Sequence, residues 1–205
     1  MRQNYMRQLF TPRVKDLQSR AGSRASYERA ASCADESDEL GPQEREFLQT
    51  ADHFFLASVG ESGWPYVQHR GGPKGFIRIL SPRQVGYAEF RGNQQFISAG
   101  NIAADPRTSI LVMDYARQAR LKLIGRLRHV AVKDADPELR DRLVQADYPG
   151  RVDRLALFDV EGYDWNCPQH IVPRYTVEEI EAATAPLRQR IRELEARLLR
   201  TASDT

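Results

Sequence analysis

Short strand-like runs separated by turns fill the chain between His53 and Val132, and this pattern limits the possible folds more than any other feature. The runs FFLASV and WPYVQH flank residues 60–63, and the runs FIRIL and VGYAEF flank residues 81–84. Apolar-rich runs joined by a few turn-forming residues are typical of β-hairpins. The sequence therefore predicts two consecutive hairpins, and so an antiparallel sheet.

The rest of the chain up to Trp165 adds three strands and a helix. Strands are predicted over residues 109–115, 120–132 and 154–165, and a helix over residues 93–104. Asp105-Pro106 ends that helix, because the residue before a proline disfavours helical backbone angles. Short antiparallel strands crossed by one helix favour a mainly β fold, a small barrel with flanking helices, over a doubly wound sheet.

Helices are expected on both sides of the barrel. Thr11-Pro12 is typical of a helix N-terminus, and that helix ends near Gly22. Gly41-Pro42 begins a second helix, and residues 137–145 form another. The small, acidic segment 31–40 is expected to be a surface connection with room to move. These features divide the chain into a helical extension (1–50), a barrel domain (51–175) and a C-terminal helix (176–205).

The C-terminal helix carries a regular apolar stripe. Thr176 and Glu179 have the spacing of a capping box, in which each side chain satisfies a free backbone N–H of the other residue. Apolar or small residues then recur at alternating steps of four and three, as in a coiled-coil seam: Ile180, Thr184, Leu187, Ile191, Leu194 and Leu198. Pro186 predicts a kink or a fresh helix start. The stripe fits either packing on the same chain or pairing with a second subunit.

The overall composition excludes several classes of protein. Thirty basic and 28 acidic residues leave a net charge of +2, which gives no broad field for nucleic acid or an anionic membrane. No run approaches the roughly 20 apolar residues of a membrane-spanning helix. Cys33 and Cys167 form neither a disulfide framework nor a metal-ligand pair. A soluble, cytoplasmic protein is expected, and any anion site in it must be local.

The tripeptide Arg91-Gly92-Asn93 is a candidate for such a local site, because it follows a predicted strand and precedes a predicted helix. The first N–H groups of a helix are unpaired and lie at the positive end of its dipole. Asn93 suits the N-cap, Gly92 lets the backbone approach a ligand or adopt a positive φ, and Arg91 offers donors that match phosphate oxygens. The alternative is an ordinary capped turn with a solvated arginine.

A second basic, glycine-rich stretch precedes this tripeptide by one hairpin. HRGGPKG (residues 69–75) places Arg70 and Lys74 at a strand connection near the same predicted end of the barrel. Glycine and proline are common in loops, so this stretch also suits a plain polar loop. Together the two stretches predict a phosphate site.

With this arrangement, five segments in order resemble the FMN-binding split-barrel proteins related to pyridoxamine 5'-phosphate oxidase, in particular their uncharacterised flavin-nucleotide-binding branch. The segments are FTPRVKDLQ, ESGWPYVQHRGGPKGF, FRGNQQFISAGNIAADPR, MDYARQARLKLIGR and DWNCPQHIVPRYT. The resemblance extends from Thr11 to about Thr176. It implies a small antiparallel split β-barrel, FMN as the cofactor, and a homodimer whose flavin sites lie at the subunit interface.

The resemblance also implies roles for particular residues. It places six residues beside the FMN phosphate or the nearby ring: Arg70, Lys74, Arg91, Gly92, Asn93 and Gln94. Ser98 and Asn101, farther along the predicted helix, either touch ribityl oxygens or only cap and pack.

Residues from two later segments are assigned to the cofactor in the same way. Arg120 and Lys122 share one face of a predicted strand, which is either a solvent face or, by the resemblance, reaches the flavin of the other subunit. Trp165 would cover the flavin, and His170 or Arg174 would face the substrate or the flavin edge. Structural packing is the alternative for all three.

Departures from the family pattern limit the functional prediction. Gln94-Gln95 stand where the oxidase itself has a basic pair, so pyridoxamine phosphate oxidase activity is doubtful. FMN binding is still expected, because backbone donors and Arg91, Arg70 or Lys74 can replace that charge. Cys167 and His170 are too few ligands for a metal site, and none is expected. No catalytic residue is assigned, because a flavin carries the chemistry itself. The prediction is an FMN-dependent oxidoreductase acting on an unknown small molecule. The alternatives are a flavin-binding sensor or carrier without turnover, or a split barrel that binds haem or a deazaflavin.

Overall fold

The computed structural model describes residues 5–33, 39–165 and 168–203, and within them seven strands form one sheet. The strands in chain order are β1 (His53–Val59), β2 (Pro65–Gly71), β3 (Arg78–Ser81), β4 (Gln84–Phe90), β5 (Arg107–Asp114), β6 (Ala119–Ala131) and β7 (Val152–Trp165). Across the sheet their order is β2-β1-β5-β6-β7-β4-β3, and every neighbouring pair is antiparallel. The predicted split-barrel fold is confirmed.

Helices flank this sheet on the N-terminal side and between strands. They are α1 (Tyr5–Leu9), α2 (Pro12–Arg20), α3 (Arg24–Cys33), α4 (Pro42–Thr50), α5 (Ile97–Ala104) and α6 (Pro137–Leu143), followed near the C-terminus by α7 (Val177–Ser203). A short 3-10 helix (Val132–Asp134) precedes α6. No helix of the described ranges combines the length and the apolar character needed to span a membrane.

Most predicted elements form as expected because their signals are local. Both hairpins are present, with Phe55 opposite His69 in the first. Thr11 caps α2 by accepting a hydrogen bond from the backbone N–H of Val14, and Phe47 of α4 is buried. The helices α1 and α3 were not predicted. Residues 34–38 of the expected surface connection lie outside the described residues, and α3 extends into that segment as far as Cys33.

The largest core cluster includes inward-facing residues of the strands and the buried face of α4. Its fully buried side chains include Phe54, Leu56, Tyr87, Leu121 and Phe158. A smaller cluster lies under α6, where Leu143 packs with three buried strand residues: Ala88, Leu155 and Leu157. Because both faces of β4 are covered, five consecutive residues from Val85 to Glu89 are buried.

A bulge in the central β6–β7 pair needs a glycine. The register shifts between Ile124 and Gly125. A Cβ atom added to Gly125 would lie 2.1 Å from the backbone oxygen of Asp159, far inside contact distance. Position 125 therefore requires glycine, because the two backbones approach each other too closely for a side chain.

The described structure divides into two compact units. The first contains the seven strands and α1 to α6, and the second contains the Tyr115–Gln118 turn and the chain from Gln169 onward. Within the second unit, Gln118 Nε2 donates to the backbone oxygen of Ile171 at 2.6 Å. The division into 1–50, 51–175 and 176–205 stays a prediction.

Helix α7 of the second unit begins with the expected capping box. Thr176 N–H donates to Glu179 Oε2 at 2.8 Å, and Glu179 N–H donates to Thr176 Oγ1 at 3.2 Å. The helix runs through Pro186 as one element. The alternative of a fresh helix start at Pro186 is therefore wrong.

Candidate functional site

A partly open cleft of about 220 Å³ lies at one end of the first unit. Its walls come from the ends of β2 and β4, the first residues of β7, and the loop that leads into α5. Parts of the two predicted stretches meet here, since Arg70 and residues 92–98 line the cleft, but the basic side chains of Arg91 and Lys74 do not.

The floor of the cleft is a buried carboxylate that contacts two arginines and a histidine. Arg70 Nη2 lies 2.8 Å from Glu89 Oε1, and Arg154 Nε lies 2.9 Å from Glu89 Oε2. His129 Nε2 is 3.5 Å from the same Oε2. The three partners come from β2, β7 and β6, so the cluster connects four strands in the barrel interior.

This cluster determines the ionisation of its two acidic members. Burial alone would raise the pKa of Glu89, but the hydrogen bond with His129 and the charges of Arg70, His129 and Arg154 hold it below its ordinary value. Burial, reinforced by the charge of Glu89, raises the pKa of Tyr87 well above its ordinary value. At neutral pH Glu89 is a carboxylate and Tyr87 is a neutral phenol.

Two buried side-chain donors that line the cleft have no hydrogen-bond partner of good geometry among the described residues. They are Arg70 Nε and Tyr87 Oη, although the Tyr87 hydroxyl lies close enough to Arg70 for a weak hydrogen bond between the two side chains. Buried polar groups are nearly always satisfied, so these two donors are available to a polar or anionic group that enters the cleft.

The loop into α5 adopts a strained backbone. Gln94 and Phe96 have φ of 61° and 55°, the left-handed region that non-glycine residues rarely adopt. The side chain of Asn93 accepts a hydrogen bond from the backbone N–H of Gln95 at 3.2 Å. The helix then begins at Ile97, with Phe96 as its N-cap. The predicted helix start at residue 93, and the role of Asn93 as its N-cap, are therefore wrong.

The charged residues near this loop are placed unequally. Arg91 Nε donates to Asp153 Oδ1 at 2.9 Å, and the Arg91 side chain is 41% exposed and does not line the cleft. Lys74 is exposed and also lies outside the cleft lining. Gly92 lines the cleft, its φ is not positive, and an added Cβ would meet nothing within 4 Å. The space beside Gly92 is therefore open and is not filled by another described part of the protein.

Ser98 and Asn101 both fasten α5 to the hairpin beneath it. Ser98 Oγ donates to Gln68 Oε1 at 2.8 Å, and Asn101 Nδ2 donates to Ser58 Oγ at 3.0 Å. Ser98 and Gln68 line the cleft, whereas Asn101 does not. Of the two interpretations given for Asn101, the structure favours packing.

Arg120, Lys122 and Trp165 lie away from this cleft within one chain. Lys122 pairs with Asp164 at 2.8 Å, near the end of β7 opposite to Arg154. Burial would lower the pKa of Lys122, but the bond to Asp164 raises it above its ordinary value. Trp165 Nε1 donates to Glu44 Oε1 at 2.7 Å, which fastens β7 to α4.

Arg120 is half-buried on β6. Contact of Arg120, Lys122 and Trp165 with a flavin stays a prediction.

His170 and Arg174 belong to the second unit. His170 is exposed with φ of 66°, and the Arg174 guanidinium lies 4.8 Å from the centre of the Tyr115 ring. Cys167 lies outside the described residues. Within the described ranges, no three His, Cys, Asp or Glu side chains are grouped so as to hold a metal ion.

Sequence reasoning did not assign four residues of the floor to the phosphate site: Tyr87, Glu89, His129 and Arg154. One signal was available for Glu89, because it is the only charge in the otherwise apolar run VGYAEF. A charge in a buried strand needs partners, and Tyr87 lies on the same strand face two residues earlier. The partners on β6 and β7 become visible only when the sheet order is known.

Comparison with known proteins finds a matching family model and several similar solved structures. The family model described as Pyridoxamine 5'-phosphate oxidase matches residues 40–183. HupZ from Group A Streptococcus is 18% identical, with 66% of this chain and 99% of that chain covered and a TM-score of 0.48. A Clostridium acetobutylicum protein related to general stress protein 26, of the pyridoxinephosphate oxidase family, is 13% identical (67% and 94% covered, TM-score 0.43). HutZ, the haem storage protein from Vibrio cholerae, is 17% identical (62% and 94% covered, TM-score 0.41). No curated protein matches significantly.

The sheet order and the polar cleft define a split-barrel protein with a partly buried polar site at one end of the barrel. The family model covers well over half of the chain. The chain therefore belongs to the pyridoxamine 5'-phosphate oxidase family.

Proposed function

We propose that the cleft binds FMN and that the protein is a flavin-dependent oxidoreductase acting on a small molecule. The observation that carries this proposal is the pair of buried donors, Arg70 Nε and Tyr87 Oη, that lack a hydrogen-bond partner of good geometry in a cleft lined by two arginines. Family membership supports a flavin as the ligand.

The residues of the cleft fit a flavin nucleotide. Arg70 is held by Glu89 and offers its Nε–H to a phosphate or another anionic oxygen. Gly92 leaves room for close approach, and Gln94 of the same loop also lines the cleft. Arg70 lines the cleft and Arg91 does not, so Arg70 is the stronger candidate for the anionic end of the ligand.

The protein's part in the chemistry is binding and orientation. FMN, when bound, supplies the hydride and electron transfer. Tyr87 remains a hydrogen-bond donor because its pKa is raised, and Glu89 remains a carboxylate held by two arginines. On this floor neither side chain is poised to exchange a proton near neutral pH.

Because neither Tyr87 nor Glu89 is poised to exchange a proton near neutral pH, the floor also favours a second candidate function, a flavin-binding sensor or carrier without turnover. Multiple turnovers of bound flavin with NADH or NADPH as reductant would exclude it. A deazaflavin or haem is a further alternative for the same cleft, and the absorbance spectrum of the purified protein distinguishes all three ligands.

A homodimer in the cytoplasm is part of this proposal. The cleft of one chain, about 220 Å³, is smaller than the roughly 300–1,000 Å³ usual for ligand sites, so a second copy is needed to enclose a whole flavin. The β1–β2 hairpin exposes Trp64 (77%) and Val67 (60%) beside the free edge of β2, which suits such an interface. Light scattering that shows only monomer at micromolar concentration would contradict the shared site.

The experiment is a titration of purified protein, stripped of any ligand, with FMN and with riboflavin. Wild type should bind FMN more tightly, because riboflavin lacks the phosphate. Arg70→Lys keeps a charge beside Glu89 but removes the fork, and should weaken FMN binding about tenfold and riboflavin binding less. Arg126→Lys, the same exchange in the surface pair with Glu161, is the matched control and should change neither. Protein that does not bind FMN would overturn the proposal.

A further inference from the structure

Helix α7 carries an apolar seam that the structure leaves exposed. Its members recur at steps of three and four from Val177 onward, and they are 43–69% exposed: Val177, Ile180, Leu187, Ile191, Leu194 and Leu198. Thr184 completes the repeat. Val177, Thr184, Ile191 and Leu198 take the a positions of a heptad, and the others take the d positions. An exposed seam of this length is typical of a helix that pairs with another helix.

The charges that flank the seam indicate which helix it pairs with. In a parallel pair, each g position meets the e position five residues later on the other helix. Arg190 at g then meets Glu195 at e of the second copy, and the twofold symmetry forms this contact twice. Arg188 and Arg197 meet alanines, Ala183 and Ala202, so no like charges face each other.

The antiparallel arrangement is disfavoured by the same residues. There g positions face g positions and e positions face e positions. In the register that overlaps the whole seam, Arg190 and Arg188 each face themselves and Glu181 faces Glu195 of the other copy. Within one chain Arg190 Nη1 also lies 3.2 Å from Glu193 Oε2, at the neighbouring outer position. The parallel pair adds an attraction and no repulsion, whereas the antiparallel pair adds repulsion.

Pro186 does not interrupt the seam. Pro186 lies at a c position. Because proline has no N–H, the carbonyl of Ala182, four residues earlier, receives no helical hydrogen bond, and Ala182 lies at an f position. Both positions lie on the outer side of such a pair, where water can satisfy the carbonyl. The apolar repeat therefore continues on either side of the proline.

We propose that α7 pairs in parallel and in register with α7 of a second copy of this chain, with Arg190 facing Glu195 of the other copy. The axis of such a pair is itself a twofold axis. This proposal does not depend on flavin binding.

Disulfide trapping in the full chain tests the register. In a background with Cys33→Ser and Cys167→Ser, Leu194→Cys places a thiol at a d position, where two copies of a parallel pair meet. Mild oxidation should convert most of the protein to a covalent dimer. Glu193→Cys, one residue away on the outer side, is the matched control and should remain monomeric on denaturing gels. Absence of the dimer from Leu194→Cys, as expected if the seam packs on its own chain or pairs antiparallel, would overturn the proposal.

Charge reversal tests the orientation independently. Arg190→Glu and Glu195→Arg each place like charges opposite each other twice, and each should raise the dimer dissociation constant about tenfold in low salt. The double variant Arg190→Glu/Glu195→Arg should return it to near the wild-type value. Sedimentation measures the dimer dissociation constant of the wild type, the two single variants and the double variant. A double variant that is as weak as, or weaker than, the single ones would show that the two positions do not meet.

Discussion

Arg70 and Glu89 form an ion pair of 2.8 Å between β2 and β4, two strands that are separated by four others in the order of the sheet. The pair therefore crosses the interior of the barrel and is not a contact between neighbouring strands. Arg154 and His129 contact the same carboxylate from β7 and β6. One buried side chain thus holds the curved sheet together at the end where the cleft opens.

Replacing Glu89 by Gln should destabilise the fold. The substitution keeps the shape of the side chain but leaves Arg70 and Arg154 without a counter-charge in a largely buried position. Removal of one member of a buried ion cluster costs about 3 kcal/mol of the free energy of unfolding. Urea denaturation followed by circular dichroism measures the change.

The matched control for this substitution is Glu39→Gln. Glu39 pairs with Arg83 at 3.3 Å, but its side chain is half exposed. Loss of such a surface pair should change stability by less than about 0.5 kcal/mol. Equal effects of the two substitutions would show that the Glu89 cluster does not stabilise the barrel.

The stabilisation from Glu89 should disappear in acid. Its pKa in the folded state lies below the unfolded value of about 4.3. A depressed carboxyl pKa stabilises the fold fully above the unfolded pKa, and this stabilisation is lost as the pH falls through the folded pKa. The difference in unfolding free energy between wild type and Glu89→Gln should therefore be largest at pH 6 to 7 and shrink below about pH 4. Urea denaturation across this range checks the trend, and a difference that does not vary with pH would contradict it.

The sequence predicts the strands well and the cleft only in part, and the reason is the range of the interactions. A hairpin depends on residues near each other in the chain, so the pairing of Phe55 with His69 follows from the turn between them. The meeting of Glu89 with His129 and Arg154 depends on the order of the strands, which no local pattern contains. The same holds for Trp165, whose hydrogen bond to Glu44 spans most of the chain.

The start of α5 shows a different limit. Asn93 has the residue type of an N-cap and is followed by residues that tolerate a helix, so local propensity places the helix start there. The structure instead has positive φ at Gln94 and Phe96, a conformation that these residue types do not favour. This conformation therefore depends on tertiary contacts, which a local sequence pattern does not contain. Both residues line the cleft.

Gly125→Ala should strongly destabilise the central strand pair. The added Cβ would lie 2.1 Å from the Asp159 oxygen, so the backbone at the β6–β7 bulge would have to move. We expect a loss of about 3 kcal/mol or more of unfolding free energy, measured by thermal or urea denaturation. Gly100→Ala in α5 is the matched control, because nothing lies within 4 Å of its added Cβ, and it should gain about 0.5–1 kcal/mol. A tolerated Gly125→Ala would mean that the bulge is not as tight as described.

Gly92→Ala should separate ligand binding from folding. The added methyl group meets nothing within 4 Å and the backbone φ is not positive, so the unfolding free energy should change by less than about 0.5 kcal/mol. Gly92 nevertheless lines the cleft, and a methyl group there would keep a phosphate away from the loop. We therefore expect FMN affinity to fall about tenfold, as measured by quenching of flavin fluorescence, whereas Gly100→Ala, outside the cleft lining, should bind FMN as wild type does. Unchanged FMN affinity in Gly92→Ala would show that the phosphate does not approach the loop at this residue.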